Sequence, residues 1–239
     1  MRGPPRRGPR VRPSGGSHGT GQAPNLRAGT REGRRRGPEH GGGRPAAAIC
    51  LTDDGRLREF DIWDTAARGA LLVDLTRAGR LVDEADSIAI DVTPTGFAPA
   101  DRLLAAMQVE PERPLTWWLD HGGIRMEDVA DAAVAAGRWV VRRTLLGRRY
   151  DGLRPVDVHD PVEGGRAADG VPPELAAVSA LATACGAWGR RPEEAAEEDL
   201  SDCGPLRWIC ETVTGHLQET QRRNLRAAGA ADGTGSPYY

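Results

Sequence analysis

The stretch RGALLVDLTRAGRL, Arg68 to Leu81, decides how this chain is read. As a helix it sets Leu71, Leu72, Leu75 and Ala78 on one apolar stripe. Arg68 stands three, four and seven residues ahead of the leucines, so it falls on the same stripe. With Asp64 as N-cap and Gly79 as the stop, the helix spans 65–78 and Arg68 lies in its first turn. There the helix dipole already presents positive charge. A permanent cation on an apolar face, at the end that repels it, calls for an anion or an internal acceptor.

Downstream, RLVDEADSIAIDV alternates around a turn at Glu84–Ser87 and predicts a hairpin. PTGFAPADRLLAAM, Pro94 to Met107, reads as a turn feeding a helix, and LTWWLDHGG as a short helix ended by glycines. RMEDVADAAVAAG, Arg125 to Gly137, is amphipathic with a glycine C-cap, and RWVVRRTLLGRRYDG follows as a second strand pair. Two longer helices, about 172–186 and 204–228, close the domain across the acidic loop PEEAAEEDLSD. Of the adjacent Trp117 and Trp118, only one needs to face the core; Trp188 and Trp208 read as core. The fold expected is mainly α: a single-domain helical bundle with two short β-hairpins and disordered termini.

The boundaries come from composition. All 32 basic residues are arginine, and the net charge of −2 hides a split. Residues 1–45 carry eleven arginines against Glu32 and Glu39, while the remaining 194 residues hold 21 arginines and 32 acids. The first 45 residues lack large apolar side chains and are expected to be a disordered arm, with 46–228 the folded domain and 229–239 a second disordered tail. No apolar run approaches the ~18 residues of a membrane span, and the N-terminus lacks the apolar core of a secretory signal. Cys50, Cys185, Cys203 and Cys210 form no CxxC pair. The expectation is a soluble cytoplasmic protein with reduced thiols and no metal.

Catalytic signatures are missing. The five histidines are scattered, and there is no GxSxG, HExxH or Walker loop. The glycine runs near residues 19 and 40 follow no strand, and the run Glu193, Glu194, Glu197, Glu198 reads as a solvated loop. The chain is therefore expected to be no enzyme and to need no cofactor.

The order of RGALLVDLTRAGRL, DVTPTGFAPADRLLAAM and the helix ending AAGRWVVRRTLLGRRY resembles the Golgi phosphoprotein 3 family, and its short bacterial members most. The likeness covers about residues 47–225. It implies a mostly helical, non-enzymatic protein. Eukaryotic members sit peripherally on Golgi membranes, bind phosphatidylinositol 4-phosphate and hold cytosolic tails of glycosyltransferases. The resemblance makes Arg68 part of a lipid phosphate pocket, where its planar fork suits bidentate contact. Trp63, just ahead of the Asp64 cap, is expected to staple back over Arg68. The family's pocket tryptophan falls at Glu59 here and its basic pair at Gly123 and Met126, with Arg125 between them as the substitute. The expected anion site is thus Arg68, Trp63 and Arg125, and the expected partner an acidic phospholipid headgroup, with tails of membrane proteins as cargo. The expected place is the cytoplasm, peripheral on the inner membrane face.

Two other readings start from the residues. Arg142, Arg143, Arg148 and Arg149 make the second ribbon a basic wing after a helix, as in winged-helix nucleic-acid binders. Helix 125–136, however, carries Glu127, Asp128 and Asp131, which phosphate would repel. A protein-binding scaffold without lipid affinity is the other alternative.

Overall fold

The computed structural model describes residues 49–52, 54–84, 87–145, 147–152, 172–186 and 200–232. In chain order these form α1 (Asp61–Arg77), the hairpin β1 (Leu81–Glu84) and β2 (Ser87–Ile90), α2 (Ala98–Val109), α3 (Leu115–His121) and α4 (Met126–Ala135). The hairpin β3 (Trp139–Thr144) and β4 (Gly147–Gly152) follows, then α5 (Pro173–Ala184), a 3-10 turn (Gly204–Leu206) and α6 (Arg207–Asp232). The fold is mainly α, with two separate two-stranded antiparallel sheets, as the residue patterns indicate. The arm expected at 1–45, Trp188 and the Glu193–Glu198 run lie outside the described residues.

At the centre is α1. Its residues Trp63 and Thr65 to Leu75 are buried, so the helix is enclosed nearly all round instead of along one stripe. It packs against α2, α3, α4, α5 and α6. The expected start at 65 is corrected. The helix begins at Asp61 after Phe60, and Asp64 lies inside its first turn. Arg68 is therefore two turns in, well clear of the unpaired amides at the start. Ala78 lies past the helix end and is exposed. Gly79 at φ 68° ends the helix as expected: Arg80 N–H donates to Leu75 O at 2.8 Å and Gly79 N–H to Thr76 O at 2.9 Å. That paired bonding satisfies the last carbonyls and needs a residue at ease with positive φ.

The PTG turn is explained by Asp101. Its carboxylate accepts the Thr95 N–H at 2.6 Å, the Thr95 hydroxyl at 2.7 Å and the Gly96 N–H at 3.1 Å, wrapping the turn onto the start of α2. Trp118 is buried and Trp117 only partly so, with Trp208 half-buried against the core. Cys50, Cys185, Cys203 and Cys210 form no disulfide and are buried, and burial pushes the Cys50 and Cys185 thiols up. The last helix overruns its expected end, because RAAGAAD after Leu225 is rich in strong helix formers; residues 229–232 are helical and not tail.

The crossing of α1 and α6 depends on Gly69. A methyl group there would lie 2.3 Å from Val213 Cγ1. Gly69→Ala should cost about 1–3 kcal/mol from overpacking, against the modest helix-propensity gain of alanine. Adding Val213→Ala should recover part of that loss in urea denaturation. A loss that the second substitution does not reduce would mean the two helices do not meet here.

Candidate functional site

Arg68 is 8% exposed, and its guanidinium faces inward. Nε donates to the Leu119 carbonyl, Nη1 to the Ile124 carbonyl at 2.8 Å, and Nη2 to the Thr65 hydroxyl at 3.1 Å. Leu119 is in the last turn of α3, where carbonyls lack helical partners and the dipole is negative. One turn back on α1, Asp64 Oδ1 accepts the Met126 N–H at 2.9 Å, the first amide of α4. A single helix thus sends a cation to the carboxyl end of one neighbour and a carboxylate to the amino end of the next. The intervening Gly122–Arg125 turn is held between them. Gly122 is required there, since a Cβ would lie 2.6 Å from Trp118 O and 3.0 Å from Arg68 Cδ.

Burial lowers the Arg68 pKa, and the charges of Asp64, Asp120 and Asp61 oppose that fall. A guanidinium starts so far above neutrality that it stays charged. The cation on the apolar stripe is thus accounted for by internal acceptors: two carbonyls and a hydroxyl take up hydrogen bonds from all three of its nitrogens.

Trp63 is buried, and the cation over its ring is Arg58, 4.2 Å from the centroid. The expected stacking on Arg68 is corrected: because the helix starts at Asp61, Trp63 is a helical residue whose ring meets Arg58. Arg125 is exposed and precedes α4, its backbone N–H donating to Asp128 Oδ2 at 2.9 Å. Partial burial raises the Asp128 pKa, but the Arg125 N–H and the Arg102 guanidinium at 3.0 Å outweigh that and hold it below the usual range. Arg125 therefore sits between Ile124, gripped by Arg68, and Met126, gripped by Asp64. Of the positions matching the family's pocket, Glu59 and Gly123 are exposed whereas Met126 is buried in the core.

The second hairpin was singled out for its arginines but not for its tip. Arg142 pairs across the strands with Arg149, and Arg143 with Arg148. Leu145 at the turn is wholly exposed, and Val140 and Val141 are exposed on β3. Arg142 also pairs with Asp151, Arg148 with Asp131 at 3.6 Å, and Arg149 with Asp54 at 3.8 Å. The spacing of the arginines was visible in the sequence; the leucine at the turn was also visible, but its full exposure follows only from the register. Among the described residues no cluster of histidine, cysteine and carboxylate side chains could hold a metal.

Compared with known proteins, residues 49–204 match the family model described as Golgi phosphoprotein 3 (GPP34). No curated protein matches the chain.

Proposed function

The chain belongs to the Golgi phosphoprotein 3 family, and from that premise we propose that it is a non-enzymatic peripheral membrane adaptor that binds acidic phospholipid headgroups. No helix among the described residues is long and apolar enough to cross a membrane, so contact would be made from the surface. The observation that carries the reading is the β3–β4 hairpin. The ribbon sets two arginine pairs next to an exposed leucine, and three of the four arginines also meet carboxylates, Arg142 with Asp151, Arg148 with Asp131 and Arg149 with Asp54. Such a tip matches a bilayer interface: Leu145 enters the acyl boundary while the guanidinium groups reach the phosphates.

Within this reading the three pocket residues divide their work. Arg125 is the exposed cation available to a headgroup, Arg68 is a positioning residue that fixes the turn carrying it, and Trp63 packs beneath Arg58. The acids on α4 favour a membrane over nucleic acid, because Glu127, Asp128 and Asp131 lie on the helix that would have to enter a groove. The tails of membrane proteins are the proposed cargo.

Liposome sedimentation tests this. The wild type is expected to bind vesicles containing phosphatidylserine or phosphatidylinositol 4-phosphate and not pure phosphatidylcholine, with affinity falling as salt rises. Replacing Arg142 and Arg143 together by alanine should weaken binding roughly thirtyfold, each arginine near an anionic surface counting for somewhat more than a factor of five. Leu145→Asp should do at least as much. Arg125→Ala should remove only the preference for the phosphoinositide. Equal binding by all these variants would sink the proposal and leave a scaffold without lipid affinity.

A further inference from the structure

Phe60 is the one non-glycine residue with positive φ among the described residues, at φ 85° and ψ 141°. It takes the N-cap position of α1, where a serine, aspartate or asparagine would bond to the free amides; phenylalanine gives no such bond. Its ring is 81% exposed, so it adds little to the core. Backbone strain, a missing cap and an aromatic ring in water thus meet at a single residue. Asparagine there would relieve all three. A residue that breaks the local rules without serving the core points to a contact outside the molecule.

Short links tie Phe60 to both parts of the lipid surface described above. One helical turn beyond it, Asp64 Oδ1 accepts the Met126 N–H at 2.9 Å, and Arg125 is the residue before Met126. On the other side, Gly55 O accepts the Tyr150 N–H at 2.7 Å and Asp54 meets Arg149 at 3.8 Å, five and six residues ahead of Phe60. Five residues span at most about 18 Å, so Phe60 lies near β4 as well as near Arg125. Beside the ring, Ile62 and Leu225 line a concavity of about 420 Å³, and Leu225 is itself exposed. Glu59 and Asp61, both exposed, flank the ring along the chain.

We propose that Phe60 is a second membrane anchor, its ring entering the acyl boundary of the bilayer while Arg125 and the hairpin arginines hold headgroups. The proposal rests on the lipid reading above and adds to it a contact of another kind. A phenyl ring gains from leaving water whatever the charge of the lipids. The carboxylates of Glu59 and Asp61 gain nothing from an anionic surface, so at this point the attraction is apolar. Leu145 alone would let the domain pivot on the hairpin tip. Two apolar points, Leu145 and Phe60, fix its tilt on the bilayer.

The test is sedimentation of the full chain with vesicles of phosphatidylcholine and phosphatidylserine, at low and high salt. Phe60→Asn is expected to weaken binding roughly tenfold at both, because the lost contact is apolar. The effect of replacing Arg142 and Arg143 should instead shrink as salt rises. Phe60→Leu should keep most of the affinity. Asparagine suits both the cap and the positive φ, so the melting temperature of Phe60→Asn should hold or rise, and unfolding cannot explain its weaker binding. A nitroxide attached to Phe60→Cys gives a direct reading, since the four native cysteines are buried. On vesicles the label should gain access to oxygen dissolved in the bilayer and lose access to a paramagnet dissolved in water. If Phe60→Asn binds as tightly as the wild type, or the label stays in water, the proposal is overturned while the loss in the hairpin variants still upholds the lipid reading. A wild type that binds no vesicles would end the lipid reading and the anchor with it. A label shielded without vesicles as protein concentration rises would give the ring to a second copy, and would overturn the proposal too.

Discussion

Arg68→Ala is expected to lower the unfolding free energy by about 3–5 kcal/mol, read as a fall in the urea midpoint at unchanged m. The change strands the Leu119 and Ile124 carbonyls, both buried acceptors of its hydrogen bonds, at about 1–3 kcal/mol each. It also removes an aliphatic stem packed against Gly122, so truncation costs contact as well as charge. Arg68→Lys should fall between, because a single ammonium cannot reproduce the planar fork that spans two carbonyls and the Thr65 hydroxyl. The competing account, a cation kept for a bound anion, makes the reverse forecast. Stability would scarcely change, and sulfate would raise the melting temperature of the wild type but not of the alanine variant. Arg68→Ala therefore separates an internal acceptor from a ligand in one pair of measurements.

The second large effect is expected from the leucines of α1. Leu71, Leu72 and Leu75 are all fully buried. Truncating any one to alanine should cost about 2–5 kcal/mol, the spread reflecting how far each cavity can collapse. Because the three share one face of the helix and are equally buried, the three losses should be of similar size. Leu71→Ala, Leu72→Ala and Leu75→Ala compared by chemical denaturation decide the matter, and a negligible loss at any of them would contradict the central placement of α1.

How much of this was legible in the sequence depended on where the partner atoms lie. The hairpins, the glycine stop at Gly79 and the PTG turn are local, fixed by residues within a few positions of one another, and they read correctly. The start of α1 did not. Asp64 is a favourable cap by residue type, but its carboxylate serves an amide 62 residues away, and a strained phenylalanine takes the cap position instead. The Asp64–Arg68 spacing was visible as an i, i+4 pair, which suggests mutual pairing on one helix. Their actual partners are backbone groups of α3, α4 and the turn between them, and a backbone carbonyl or amide has no residue type by which to recognise it. Arg58 over Trp63 was missed because that contact depends on how the 54–58 stretch meets α1. Likewise, an arginine count finds the second hairpin, but only the register shows which arginines oppose one another.

The long reach of Asp64 and Arg68 also bears on the protein's synthesis. Arg68 waits for carbonyls 51 and 56 residues further along, and Asp64 for an amide 62 further along. At the usual pace of translation, α1 leaves the ribosome a few seconds before the turn that completes it. During that interval the apolar segment DTAARGALLVDL, Asp64 to Leu75, has only Asp64, Arg68 and Asp74 as charges. Two of them, Asp64 and Arg68, later lock α3 and α4 in place, and before that they stand where charges guard an apolar run against aggregation. Replacing them with apolar residues of matching shape would expose the ribosome-bound chain to misassociation even where the finished fold tolerated the change.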